Sequence, residues 1–157
     1  MRLNLIVSIL IVSITPAAAD WQYTKWGMTV AQVQAASKGK LRPCDAQCAG
    51  HSTSNATVRL RGEYNAGEFA FSTWAAFDNQ GRLNGIRLGL LDPSQVTPLI
   101  GSVRAKYGEP ESGSRGSSIL NISTWRDRTD QISLTVIGSS NAELMYSPRV
   151  TPSNAGL

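Results

Sequence analysis

Residues that could act as nucleophiles or bases are few in this sequence. Histidine occurs once, as His51 in the stretch GHSTSN, where serines follow it. Hydrolysis by a serine nucleophile needs such a base beside a serine on a strained turn, usually in the motif G-x-S-x-G. That motif does not occur. We therefore interpret His51 as a solvated loop residue and predict no catalytic site.

The two cysteines, Cys44 and Cys48, could bind a metal, exchange electrons or form a disulfide. A zinc site would need two further ligands, and the single histidine cannot supply both. Redox-active pairs usually have the tighter C-x-x-C spacing. We therefore predict a local disulfide between Cys44 and Cys48, and neither a metal site nor a cofactor.

Paired carboxylates could catalyse the hydrolysis of a sugar. The chain has 11 acidic residues, and most of them lie in stretches that we interpret as turns, such as those at Asp78 and Asp92. The residues around these carboxylates do not mark any pair of them as buried. We nevertheless keep a small periplasmic hydrolase as an alternative function.

The N-terminus has the pattern of a secretory signal peptide. Arg2 is followed by the apolar stretch 3–14, by Pro16, and by the small residues Ala17-Ala18-Ala19 that precede a cleavage point. The apolar stretch is short for a membrane span, although a single anchor is the alternative. We predict that residues 1–19 are removed, that no transmembrane segment follows, and that the protein is periplasmic or secreted.

The formal net charge of +4 is mild, and the charges are dispersed. An exported protein rarely meets nucleic acid, so we predict no nucleic-acid partner and a weak preference for anionic ones. Lys38, Lys40 and Arg42 form a small basic cluster. It is either a solvated surface or a contact for an anion.

Two helices and six strands are predicted to position these residues. Thr29 and Gln32 form a capping box for a helix over 30–38, with Val30 and Val33 toward the core and Gly39 ending it. A second helix could start at Asp92-Pro93 or at Thr97-Pro98, because proline suits the first helical position. We prefer Pro98, since proline inside a longer helix would cost about 3 kcal/mol, and we expect the helix to end at Gly108. Alternating stretches predict strands at 58–64, 68–77, 83–91, 119–125, 131–137 and 142–146. We interpret GHSTSNAT and ESGSRGSS as loops.

This order, helix and three strands followed by helix and three strands, predicts an internal duplication. The tripeptide STW occurs at 72–74 and again at 123–125, each time before a turn and an Ile-x-Leu strand. We predict one α+β domain over 20–149, built from tandem units at 27–91 and 92–147. Two short helices would pack on one face of an antiparallel sheet, and 150–157 would be a flexible tail.

The phrase GMTVAQV at 27–33 resembles a signature of small exported α+β domains. These include outer-membrane assembly lipoproteins of the SmpA/BamE type and the beta-lactamase inhibitor proteins, and LIGSVRAKYGEP at 99–110 resembles the helix end of the same unit. The chain departs from the first group because it has no lipoprotein cysteine. The resemblance implies a protein that binds other envelope or extracellular proteins and is not an enzyme.

Alternation along the strands predicts a binding face. Phe69, Phe71 and Thr73 would face the helices, as would Leu120, Ile122 and Thr124, which places both Trp74 and Trp125 on the opposite side. Tryptophan with arginine is typical of interaction hot spots. The candidate binding face comprises Trp74, Trp125, Arg59, Arg61 and Arg87. Alternatively, the tryptophans pack beneath Trp21, Tyr23, Trp26 or the long loops.

From the sequence we expect an exported, non-catalytic protein that binds another envelope or extracellular protein. The alternatives are the small hydrolase and an inhibitor or immunity protein that blocks a partner enzyme. No sequence signal identifies the partner or an oligomeric state.

Overall fold

The structure, a computed structural model, describes residues 21–44, 46–53, 55–115, 119–127 and 129–149. The predicted signal peptide and the predicted tail at 150–157 lie outside the described residues. Within the described residues, no helix combines the length and the apolar character needed to cross a bilayer.

Eight strands form one antiparallel sheet, which confirms the predicted α+β class. The strands are β1 Leu41–Pro43, β2 Thr57–Ala66, β3 Phe69–Phe77, β4 Leu83–Leu90, β5 Ser112–Arg115, β6 Leu120–Arg126, β7 Asp130–Ile137 and β8 Asn141–Pro148. Their spatial order is β1-β2-β3-β4-β8-β7-β6-β5, so β4 and β8 meet at the centre of the sheet. The short strands β1 and β5 are the two edges.

The edge strands are the two that the sequence did not predict. ESGSRGSS is not simply a loop, because β5 pairs with β6 over Ser112–Arg115. Both edge strands pair through backbone groups with one neighbour, and neither has an alternating apolar pattern to mark it. Each helix is therefore followed by four strands in the chain, and the tandem duplication stays a prediction.

The first helix, α1, spans Val30–Ala36 and has the predicted capping box. The Thr29 hydroxyl accepts a hydrogen bond from the Gln32 backbone N–H, and the Gln32 side chain accepts one from the Thr29 N–H. The helix is shorter than predicted because of Ser37. Its hydroxyl donates to the Gln34 carbonyl and accepts from the Leu41 N–H, so it ends α1 and orients the start of β1.

The second helix, α2, spans Val96–Tyr107, so the predicted start at Pro98 is wrong. A 3-10 turn at Pro93–Gln95, capped by the Asp92 carboxylate, leads directly into it. Pro98 is then the third helical residue, where a backbone N–H has no partner within the helix. The expected penalty for an internal proline therefore does not apply.

One large hydrophobic cluster forms the core. Val33 of α1 and Val96, Leu99 and Val103 of α2 belong to it. The strands contribute a cross-strand row of directly opposite residues, which point to the same side of the sheet. That row is Leu60, Ala75, Ile86, Tyr146, Ile132 and Trp125. We call this side of the sheet the inner face and the opposite side the outer face.

Candidate functional site

A row of directly opposite residues crosses the outer face from β1 to β7. Strand register places Arg61 opposite Trp74, Trp74 opposite Arg87 and Arg42 opposite Arg61. We call the complete set the outer row. It comprises Arg42, Arg61, Trp74, Arg87, Met145 and Ser133.

Trp74 is held rigidly at the centre of this surface. Its indole lies over Gly89, where an added Cβ would come within 2.8 Å of the ring. The ring of His51 stacks on it with the centroids 4.2 Å apart. Trp74 is partly buried by these contacts and retains some exposure. Little conformational freedom would be lost if a partner covered it, as in an interface hot spot.

Arg87 fastens the neighbouring loop to the sheet. Its guanidinium donates to Glu143 Oε1 at 3.0 Å from Nε and 2.8 Å from Nη2. Its Nη1 donates to the His51 carbonyl at 2.8 Å. Arg87 therefore lies in the outer row as predicted, but its charge is already compensated by Glu143, which leaves the exposed basic character to Arg42 and Arg61.

The loop that covers Trp74 has more structure than the sequence indicated. Cys44 and Cys48 form the predicted disulfide with the Cα atoms 5.9 Å apart, and a 3-10 segment spans Ala46–His51. The interpretation of His51 as a solvated loop residue is wrong. A bulge in β2 near Val58 turns that side chain to the outer face, where it packs with Cys48 and Ala76. The loop buries this second, small cluster, and His51 is carried onto Trp74.

Arg42 and Arg61 present an unfavourable pair at the edge of the sheet. They lie directly opposite each other on β1 and β2, and both are exposed. Like charges in that position destabilise a sheet. Neither arginine lies in a salt bridge with any described residue. Arg59 is also exposed, but it lies at the β2 bulge and outside the outer row.

Trp125 does not belong to the candidate binding face. It lies opposite Ile132 on the inner face, is only 3% exposed, and donates its indole N–H to the Gly108 carbonyl at 2.9 Å. The predicted facing of β6 is therefore reversed, and Leu120, Ile122 and Thr124 point to the outer side. The two STW motifs face opposite ways, so they do not mark equivalent positions.

The outer face of β6, β7 and β8 combines hydroxyl groups with exposed apolar side chains. Ile137 is 48% exposed and Met145 is 39% exposed. Ser133, Thr135 and Thr124 lie between the apolar residues on this face. Such a mixture of isolated apolar groups and small polar ones extends the surface beside Trp74 in a form that a protein partner could cover.

The inner face contains a cavity of about 400 Å³ that the sequence did not indicate. It is bounded by α2, by the strands on either side of β4 and by the segment at Trp21, and three tyrosines, Tyr64, Tyr107 and Tyr146, line it. The hydroxyls of the last two lie 3.3 Å apart. The nearby Asp130 carboxylate accepts a hydrogen bond from the Trp26 indole at 2.6 Å.

The buried Tyr146 hydroxyl should make the free energy of unfolding depend on pH in the alkaline range. Burial, reinforced by the hydrogen bond between Tyr146 and Tyr107, raises the pKa of Tyr146 well above its usual value of 10.0. Below the usual pKa, the Tyr146 hydroxyl keeps its proton in both the folded and the unfolded chain. Between the usual pKa and the raised pKa only the unfolded chain loses this proton, so the free energy of unfolding should fall by up to about 1.4 kcal/mol per pH unit.

Urea unfolding between about pH 9 and 12 measures this slope. The variant Tyr146→Phe removes the group and should show a shallower fall than the unmodified protein, because phenylalanine has no proton to lose. Equal slopes for the two proteins would contradict the burial of this hydroxyl.

No family model, no characterised protein and no solved structure matches this chain. Within the described residues, no group of three or more histidine, cysteine or carboxylate side chains is arranged to hold a metal ion. The candidate function therefore depends on the outer face and the inner cavity themselves.

Proposed function

We propose that this chain is an exported, non-catalytic binding protein that docks another exported protein on the outer face of its sheet. The observation that carries the proposal is the outer row, in which a partly exposed, tightly packed Trp74 lies beside Arg61, and Arg61 lies beside Arg42. Neither of these two arginines forms a salt bridge with a described residue. The predicted signal peptide and the disulfide support an exported protein, since disulfides persist in oxidising compartments.

The distribution of the core supports an open outer face. The buried residues of α1 and α2 belong to the inner-face cluster, so both helices would cover that side, as the tandem-unit arrangement predicts. On the outer face, the disulfide loop packs around Val58 and Trp74. The exposed Met145 lies two strands away in the same row.

The size of the outer row fits a protein partner. It extends over five strand spacings of about 4.8 Å, or about 24 Å in all. A standard interface covers about 800 Å² on each partner, which is roughly 30 Å across. Trp74 would supply the central anchor, and the arginines would lie toward the rim.

The charge of the row specifies the kind of partner. Arg42 and Arg61 repel each other in the free protein. Carboxylates on the partner would relieve that repulsion and form charge-assisted hydrogen bonds with both guanidinium groups. We therefore infer a partner whose contact surface is acidic, which could include an enzyme that the chain inhibits.

A serine-hydrolase mechanism gains no support from the geometry at His51. His51 is stacked on an indole, and within the described part of the chain no serine hydroxyl hydrogen-bonds to its ring. Nucleophilic catalysis requires that contact between base and nucleophile.

Paired charge reversals test the proposal. The exported chain, immobilised through its C-terminus, would capture proteins from the envelope and extracellular fractions of its host. We expect Arg42→Glu combined with Arg61→Glu to weaken the captured partner's binding about tenfold or more, because each reversal places like charges in contact. Calorimetric titration of that partner measures the change.

The matched control is Lys25→Glu combined with Arg104→Glu. Both residues are exposed, and the change in net charge is the same, but neither lies in the outer row. The control should bind like the unmodified protein, and thermal unfolding would verify that both double variants are folded. Equal loss in the two variants, or capture of no protein by the unmodified chain, would overturn the proposal.

A further inference from the structure

We infer that the inner cavity binds a small organic cation of the methylated-ammonium class. Six of its lining side chains are aromatic, in a cavity whose volume of about 400 Å³ falls within the usual range for small-molecule sites. They are Trp21, Tyr64, Phe69, Phe71, Tyr107 and Tyr146. This site is separate from the outer face and does not depend on the function proposed for it.

Three of the aromatic rings that line the cavity pack against one another in different orientations. Trp21 meets Tyr64 edge-on, with the ring centroids 5.3 Å apart and the planes at 70°. Tyr64 in turn lies 6.3 Å from Phe71 with its ring nearly parallel. Faces in different orientations around one cavity can contact a rounded cation from several sides, as in the aromatic cages that bind quaternary ammonium groups.

Carboxylates in the cavity wall can contact a cation. Among the described residues, Asp127 and Asp130 line the cavity together with the cationic Lys106. Asp130 is only 9% exposed, and its carboxylate is oriented by the Trp26 indole. Its negative charge also acts on Tyr146, since it contributes to the raised pKa of that tyrosine, after burial, Tyr107 and Tyr64.

One ring at the rim already interacts with a positive charge. The Lys106 ammonium lies 4.9 Å from the centroid of Tyr107. A bound ligand would use the ring of Tyr64, which lines the cavity and is partly exposed, in the same way. A methylated ammonium suits these rings better than a primary amine, because its methyl groups match the apolar wall and it loses less hydration on entry.

Two probes of equal shape and different charge test the inference. Choline and its uncharged isostere 3,3-dimethylbutan-1-ol would be titrated separately into the full exported chain, with binding followed by NMR of the indole N–H signals. We expect choline to bind about tenfold more tightly, because only the charged probe gains the cation–π and carboxylate interactions. Equal affinities, tighter binding of the alcohol, or no binding of choline would overturn the inference.

Cavity-filling variants locate the binding. Ala66 lines the cavity, whereas Ala70, in the same hairpin, lies on the outer face. Ala66→Phe should abolish choline binding and Ala70→Phe should preserve it. If Ala66→Phe fails to fold, Ser102→Phe at the cavity rim on α2 replaces it, with exposed Ala105→Phe as its control. Choline binding that survives the filling variant would place the site elsewhere and overturn the inference.

Discussion

Replacing Trp125 by alanine should lower the free energy of unfolding by about 3–5 kcal/mol. The indole is 3% exposed and lies in the core cluster beside Tyr107. Its removal leaves a cavity that the sheet cannot close, and the Gly108 carbonyl at the end of α2 loses its hydrogen-bond donor. Urea unfolding of the variant and the unmodified protein measures the difference.

Two further variants separate the inner tryptophan from the outer one. Trp125→Phe keeps much of the apolar volume and should cost less than Trp125→Ala. Trp74→Ala should cost only about 1–2 kcal/mol, because Trp74 is partly exposed on the outer face. A loss from Trp74→Ala equal to that from Trp125→Ala would contradict the assignment of the two side chains to opposite faces.

Gly62→Ala should destabilise the protein by about 1–3 kcal/mol and weaken binding of the partner. A Cβ at this position would collide with the backbone carbonyl of Lys40, which cannot rotate away. The collision should push β1 away from β2 and separate Arg42 from Arg61. Urea unfolding measures the stability, and hydrogen exchange of the β1 amides measures the separation of the strands.

Gly113→Ala is the matched control at the other edge of the sheet. Gly113 lies in β5, and an added Cβ would have only the Ile122 carbonyl oxygen, 3.9 Å away, within reach. That substitution should leave stability nearly unchanged, or raise it slightly by restricting the unfolded chain. If Gly62→Ala behaves like Gly113→Ala, the close approach of β1 to β2 is wrong.

The elements that the sequence predicted are those with a local physical signal. The capping box at Thr29 and Gln32 marks the start of α1, because it satisfies two backbone N–H groups from within four residues. The six long strands have apolar residues that alternate or cluster. By contrast, β1 and β5 exist because a neighbouring strand offers its backbone groups, and no side-chain pattern records that.

The site was predictable only in part, because the sequence does not always show which side of a strand faces the core. In β3 the phenylalanines mark the buried side, so Trp74 was placed correctly on the outer face. In β6 both sides carry apolar residues, and a choice wrong by one residue turns every side chain to the opposite face. The strictly alternating Ile132, Leu134 and Val136 of β7 determine the true facing through their pairing with β6.

Local pattern could not predict that His51 is the residue that covers Trp74, nor that the inner cavity exists. The bulge in β2 places Val58 on the outer face, where it forms an apolar patch with Ala76. The disulfide loop packs on this patch and brings His51 onto Trp74. The cavity brings together side chains from Trp21 to Tyr146, nearly the whole described length of the chain. Only the folded arrangement brings such distant residues into contact.

Site-specific photo-crosslinking in the living host tests most directly whether the outer face docks a protein. A photoreactive amino acid would replace Met145, which is exposed in the outer row, or Ala105, which is exposed on α2. We predict that the probe at Met145 forms an adduct with one exported protein, and that the probe at Ala105 does not. An adduct from Ala105 alone, or from neither position, would contradict the proposal that this face binds a partner.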